Sequence, residues 1–167
     1  MSAKHFELTS ESKVDSFGRT LFRVKLTINC KWGKAGYLGG WVEKESNIRG
    51  NAWVYGNARV SGNAQVSGNA QVSGDARVSG NARVSGNAQV DKRRDIFWLS
   101  IIGSEGGTYT AFKNKDGGVS VNRGCFNGTF KQFIDAVEAT HISTEFYHEY
   151  QAVIELTKAR LSVEAEA

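Results

Sequence analysis

From Val42 to Val90 a β-branched residue returns at every sixth position: Val42, Ile48, Val54, Val60, Val66, Val72, Val78, Val84 and Val90. From position 52 onward alanine stands two residues before each, as Ala52, Ala58, Ala64, Ala70, Ala76, Ala82 and Ala88. Glycine stands two residues after each from Ile48 to Val84, and Asn, or Asp at position 75, follows every one of those glycines. The unit is Ala-x-Val-Ser-Gly-Asn. Side chains alternate along a strand, so Ala and Val face a core while the residue between them faces solvent. Gly-Asn supplies a corner, since both residues tolerate positive φ. A period of six is not helical, and strands this short do not suit an ordinary hairpin meander. The pattern predicts short parallel strands wound into a coil, with three hexapeptides closing one triangular turn.

In such a coil, residues 18 apart stack on one face. The outward columns are Trp41, Arg59, Arg77; Asn47, Gln65, Arg83; and Trp53, Gln71, Gln89. The repeat makes about 2.7 coils, and at about 4.8 Å between strands the prism is only about 13 Å tall. So short a solenoid exposes strand edges at both ends, and the flanks are read as its caps. Residues 5–28 predict a β-hairpin around Phe17-Gly18. Residues 96–102, 108–114 and 119–126 predict a three-stranded sheet with a turn at Asp116-Gly117. Thr129 and Gln132 form a capping box that opens a helix ending near His141, and a second helix follows over roughly 144–162. The organisation expected is a β cap over 1–40, a β-helix over 41–90 and an α+β module over 91–167.

The repeated Val-Ser-Gly-Asn-Ala-Arg resembles the hexapeptide repeat of left-handed β-helix proteins. The segments Phe6-Glu7-Leu8-Thr9, Tyr37-Leu38-Gly39-Gly40-Trp41-Val42-Glu43, Gly124-Cys125-Phe126-Asn127-Gly128-Thr129 and Thr140-His141 resemble a group of small phage and prophage proteins. The resemblance implies a left-handed coil, a homotrimer formed by packing flat faces, and ligands held between subunits. Its best-known enzymes are acyltransferases, in which a histidine beside the coils acts as general base. This chain has His5, His141 and His148, none of them between positions 41 and 90, and no loop is inserted between hexapeptides.

Composition adjusts this picture in three ways. The chain has 19 glycines and no proline, which excludes collagen-like and proline-rich readings. Two cysteines, Cys30 and Cys125, are too few for a disulfide scaffold, and no apolar run reaches the length of a membrane span, so a cytoplasmic location is expected, which the resemblance to phage proteins makes that of a host cell. The formal charge of +4 divides into +8 over residues 1–128 and −4 over residues 129–167. A basic surface of that size attracts anions, although it is modest for a nucleic-acid binder.

Candidate chemistry follows from these placements. Stacked Arg59 and Arg77, with Arg83 on the next face, put like charges about 5 Å apart, which favours an anionic ligand, a subunit interface or plain solvation. Trp41 and Trp53 on a solenoid face call for burial by a cap or a partner. In the C-terminal module the candidates are Cys125, His141 and Tyr150. Cys125, His141 and Glu149 in the roles of nucleophile, base and orienter compete with a buried thiol and a helix-terminal histidine. The same cysteine with His141 and His148 lacks the short spacing of zinc ligands, so neither a metal nor a cofactor is expected. Gly103-Ser104-Glu105-Gly106-Gly107 precedes a strand rather than a helix and reads as a hairpin loop, not a phosphate cradle. These features favour a non-catalytic, phage-encoded binding or inhibitor protein that sequesters a host ligand or blocks a host protein, including a defence component. An acyl- or nucleotide-modifying transferase with an inter-subunit site is the enzymatic alternative, and a structural assembly protein is the third.

Overall fold

A computed structural model describes residues 4–163, and the chain divides into two compact units, Met1–Arg93 and Arg94–Ala167. The protein is mainly β with two helices.

The first unit opens with β1 (Phe6–Val14), β2 (Thr20–Leu26) and β3 (Leu38–Val42). Seven two-residue strands follow: β4 (Trp53–Val54), β5 (Arg59–Val60), β6 (Gln65–Val66), β7 (Gln71–Val72), β8 (Arg77–Val78), β9 (Arg83–Val84) and β10 (Gln89–Val90). They pair in parallel with the eighteen-residue register the sequence predicts. Trp41 lies beside Arg59 and Arg59 beside Arg77; Trp53 beside Gln71 and Gln71 beside Gln89; Gln65 beside Arg83. Every repeat alanine and valine is buried, because each points into the coil and stacks on its equivalent one turn away.

The corners are tight turns. In Ser61-Gly62-Asn63-Ala64 the Ala64 N–H donates to Ser61 O at 3.3 Å, and Gly62 has φ +65°. Asn63 does not share the positive φ expected of it. Positive φ at the first central residue alone is the pattern of a type II′ turn, so glycine carries the corner by itself.

The N-terminal hairpin covers one edge of the coil by continuing its sheet. Strand β2 pairs antiparallel with β3, placing Phe22 beside Val42 and Arg23 beside Trp41, and the order of the mixed sheet is β1-β2-β3-β5-β8. Leu21, Val24 and Leu26 are buried beneath it. Asn47, expected on the solvent column, is instead fully buried. Its Nδ2 donates to Gly62 O (3.2 Å) and Ala64 O (2.8 Å), and its Oδ1 accepts from the Lys44 N–H (2.9 Å). The short 3-10 turn Glu45–Asn47 replaces a strand there and folds the amide over carbonyls that a preceding coil would otherwise satisfy.

The second unit contains β11 (Ile96–Ile102), β12 (Gly107–Lys113), β13 (Val119–Arg123), β14 (Phe126–Thr129), α1 (Phe130–His141) and α2 (Phe146–Leu161). Its sheet is a four-stranded antiparallel meander rather than the three strands expected. The predicted third strand is broken at Gly124-Cys125, where Arg123 pairs with Phe126 and Gly124 takes φ +58°. Glycine at the first position of a two-residue loop is the signature of a II′ hairpin. The capping box at Thr129 forms as predicted, with Gln132 N–H donating to Thr129 Oγ1 (3.2 Å) and Thr129 N–H to Gln132 Oε1 (2.9 Å). Tyr109, Ala111, Val121, Phe133, Val137, Tyr150 and Ile154 form the core between sheet and helices.

Candidate functional site

The mixed sheet of the first unit concentrates positive charge. One row across it runs Arg23, Trp41, Arg59, Arg77 in strand order. Lys13 Nζ sits 3.9 Å from the centroid of the Trp41 ring and the Arg23 guanidinium carbon sits 5.0 Å from it. Two cations therefore converge on one indole, whose π face attracts them. Trp41 is buried under them, so the cap covers this tryptophan. Its Nε1 has no hydrogen-bond partner.

The counter-charges are few. Glu11 approaches Arg23 at 3.8 Å, and Arg93 reaches Asp75 at 3.8 Å. Among the described residues no carboxylate pairs with Arg59 or Arg77. Burial, then the neighbouring Arg59, Arg23 and Arg77, lower the Lys13 pKa to about 8. Burial, then Arg93 and Arg59, hold Arg77 below the ordinary arginine range, against the opposing pull of the Asp75 and Asp15 carboxylates.

Beside the two stacked arginines the tip of the β1–β2 hairpin encloses a pocket of about 60 Å³, lined by Asp15, Ser16, Arg59, Ser61, Arg77 and Ser79 among others. The Asp15 carboxylate is already engaged. It accepts from the N–H groups of Phe17 (2.8 Å) and Arg19 (3.0 Å) and from Arg19 Nε (2.8 Å). Burial pushes its pKa up, but those N–H groups and the Arg19 guanidinium together hold it below the ordinary value. Hydroxyls and three arginines, Arg59, Arg77 and the Asp15-paired Arg19, line a space the size of one oxyanion. Guanidiniums and hydroxyls in this arrangement are groups that donate hydrogen bonds to an anion.

Of the other residues singled out in the sequence, Arg83 lies on a different face, beside Gln65, because it is one hexapeptide out of phase with Arg59 and Arg77. Trp53 is 1% exposed, with its indole against Gly39 and the His5 ring. It is core, covered by the chain itself and closed to a ligand. Lys13, Arg23, Ser61 and Ser79 were missed. The serines fill the fourth position of the repeat, as Ser67, Ser73 and Ser85 also do, and carry no distinguishing signal, while Lys13 on β1 and Arg23 on β2 reach the row only through the pairing of β1 on β2 and of β2 on β3.

A second cavity in this unit, about 520 Å³, is lined by His5, Cys30, Lys31, Trp32 and Arg49 among others. Its polar groups are largely spoken for: His5 Nε2 donates to Ala52 O (3.0 Å), Trp32 Nε1 to Asn51 O (2.7 Å) and Lys31 Nζ to Asn69 Oδ1 (2.6 Å).

In the second unit Cys125, His141 and Tyr150 do come together, lining a groove of about 370 Å³ with Arg123, Phe126 and Phe133. No hydrogen bond joins Cys125 to His141 among the described residues. Cys125 is exposed, correcting the expectation of a buried thiol, because it occupies the outer position of the β13–β14 turn. His141 Nδ1 lies 3.3 Å from Thr144 Oγ1, and Glu149 Oε2 accepts from the Gly103 N–H at 3.1 Å. Glu149 thus holds the β11–β12 turn, not the imidazole. The His141 and Tyr150 rings are 4.9 Å apart. Among the described residues no group of three His, Cys, Asp or Glu side chains could hold a metal ion.

Among known families, the YdcK Beta solenoid repeat matches residues 52–68, 70–86 and 76–91. The match falls on the coils and leaves the N-terminal strands and the second unit uncovered. It agrees with the parallel ladders: this part of the chain is a repeat β-solenoid. No curated protein and no solved structure matches the chain. No helix among the described residues is long and apolar enough to cross a membrane.

Proposed function

We propose that the protein is a non-catalytic binding protein whose basic solenoid face takes an anionic ligand or the acidic surface of a partner protein. One observation carries the reading: Arg59 and Arg77 stand side by side, unpaired, over a pocket whose only carboxylate is already engaged by Arg19 and backbone N–H groups. Arranging like charges this way costs stability, and a bound anion offsets that cost.

The fuller reading adds a left-handed coil and a homotrimer packed through flat faces. It also places the protein, phage-encoded, in the cytoplasm of a host cell, where it sequesters a host ligand or blocks a host protein. It is supported by the likeness of the repeat and flanking segments to phage hexapeptide proteins. The test is a titration with inorganic phosphate and with adenosine monophosphate, followed by tryptophan fluorescence in a Trp98→Phe background, to which Trp41 in the same row contributes. Saturable quenching is expected, weakening steeply with salt and lost in the Arg59→Gln/Arg77→Gln double variant. Unchanged binding in the double variant overturns the anion site, and a monomer by light scattering overturns the trimer. Turnover of an acyl-CoA thioester returns the protein to the enzymes.

A further inference from the structure

The groove of the second unit holds a charge that no ion pair among the described residues satisfies. Arg123, at the end of β13, is 9% exposed, yet no carboxylate forms an ion pair with it among the described residues. Its Nη2 donates to Ile102 O at 2.7 Å, and its Nε is buried with no hydrogen-bond partner. A guanidinium carries five N–H donors, and this one spends little of that capacity on the protein. A buried guanidinium without an ion pair is costly, and a bound anion would offset that cost; the Glu149 carboxylate nearby is taken by the Gly103 N–H and forms no ion pair with it.

The bond to Ile102 shows that Arg123 also has a structural duty. Ile101 adopts φ +63°, rare for a β-branched residue, and the β11–β12 register slips between Leu99 and Ile102. Arg123 clamps the carbonyl just after that bulge. The clamp occupies only Nη2, however, and a neutral donor would serve it.

The walls are built around the guanidinium and a phenol. A Cβ on Gly107 would stand 2.6 Å from Arg123 Nη1, and one on Gly103 would overlap the Tyr150 hydroxyl. Two glycines thus clear the space these polar heads occupy. Tyr150 lies with its ring 6.0 Å from the Arg123 guanidinium carbon. Phe126 and Phe133, edge to face at 5.5 Å, provide an apolar wall, and His141 flanks Tyr150. The exposed Glu105 also lines the groove, and its carboxylate disfavours a multiply charged anion such as phosphate.

From this we infer that the groove is a binding site for a small monocarboxylate with an aromatic or branched apolar body. The carboxylate meets Arg123 and the Tyr150 hydroxyl, and the body lies on Phe126 and Phe133. The site is independent of the anion pocket on the solenoid. A cavity of about 370 Å³ suits a ligand of this size.

The probe is phenylacetate, titrated into the full-length protein and followed by amide and Arg Nε–H chemical shifts. Phenethylamine, with the same body and the opposite charge, and inorganic phosphate are the comparisons. Saturable shifts confined to the groove are expected for phenylacetate and for neither comparison. Arg123→Gln should weaken binding about tenfold or more, and Tyr150→Phe, which keeps the ring, by a smaller factor. The Arg59→Gln/Arg77→Gln variant should bind phenylacetate as the parent does, which separates this site from the solenoid face. The inference is overturned by an absence of saturable shifts in the parent protein, by equal binding of phenethylamine, or by a folded Arg123→Gln that binds unchanged. Should Arg123→Gln fail to fold, unchanged affinity in Tyr150→Phe overturns it.

Discussion

Substituting alanine at two equivalent corners of the solenoid separates two costs that usually arrive together. Gly68 and Gly86 have nearly the same backbone, φ +67° and +66°, and occupy the same place in consecutive coils. An added Cβ at Gly86 meets nothing within 4 Å, whereas at Gly68 it would lie 3.0 Å from Gly86 N and 3.2 Å from Gly86 O. Gly86→Ala therefore bears only the left-handed conformation, about 1–2 kcal/mol, less about 0.4–1 kcal/mol from a stiffer unfolded chain. The net is about 1 kcal/mol. Gly68→Ala bears the same and also forces two ladder-bonded backbones apart, an overpacking cost of about 1–3 kcal/mol more. Denaturant unfolding should be followed by tryptophan fluorescence in a Trp98→Phe background, because the remaining indoles, Trp32, Trp41 and Trp53, all belong to the first unit. The midpoint should fall further for Gly68→Ala, with the slope unchanged in both. Equal losses, or a larger one at Gly86, would refute the claim that glycine is required for coil-to-coil contact as well as for turn geometry.

Two further outcomes follow from buried polar groups and charge. Asn47→Ala strips partners from the Gly62 and Ala64 carbonyls and the Lys44 N–H, and should cost at least about 2 kcal/mol in the same unfolding assay. A near-neutral result would mean that water replaces the amide. Lys13, with its pKa lowered to about 8 by burial and by Arg59, Arg23 and Arg77, opposed only by Glu11, holds its proton less tightly folded than unfolded. Between about pH 8 and its ordinary value near 10.5 the unfolded chain binds the extra proton, so stability rises with pH across that window. Below about pH 8 the penalty is present in full. Comparing the pH dependence of unfolding in the parent and in Lys13→Met isolates the effect, and identical slopes would contradict it.

Much of the solenoid was legible because its information is local. Six residues contain a complete instruction of two inward side chains, one outward and one corner, and the repeat restates it often enough to fix strand position and register. The second unit was legible to the same depth only where a local rule spoke clearly. The capping box at Thr129 set the start of α1, and Phe133 and Val137 marked its buried face. The break at Gly124 had its own local sign, glycine opening a two-residue turn, but a run of strand-forming residues on either side masked it. At Asn47 the periodicity misled, because position in the repeat predicts a direction only while the repeat is still a strand.

What the sequence determined by itself is the set of objects whose forces act within a few residues: corners, inward faces, helix caps and the eighteen-residue stacking of Arg59 on Arg77. Tertiary structure alone decided what surrounds them. Lys13 and Arg23 joined the arginine row because β1 pairs on β2 and β2 on β3, Trp53 became core because the chain folded back over it, and Arg123 became a buried, unpaired cation because two glycines and a bulge bring β12 and α2 around it. Charge and burial depend on every atom within several ångströms regardless of chain distance, so no periodicity along the chain records them.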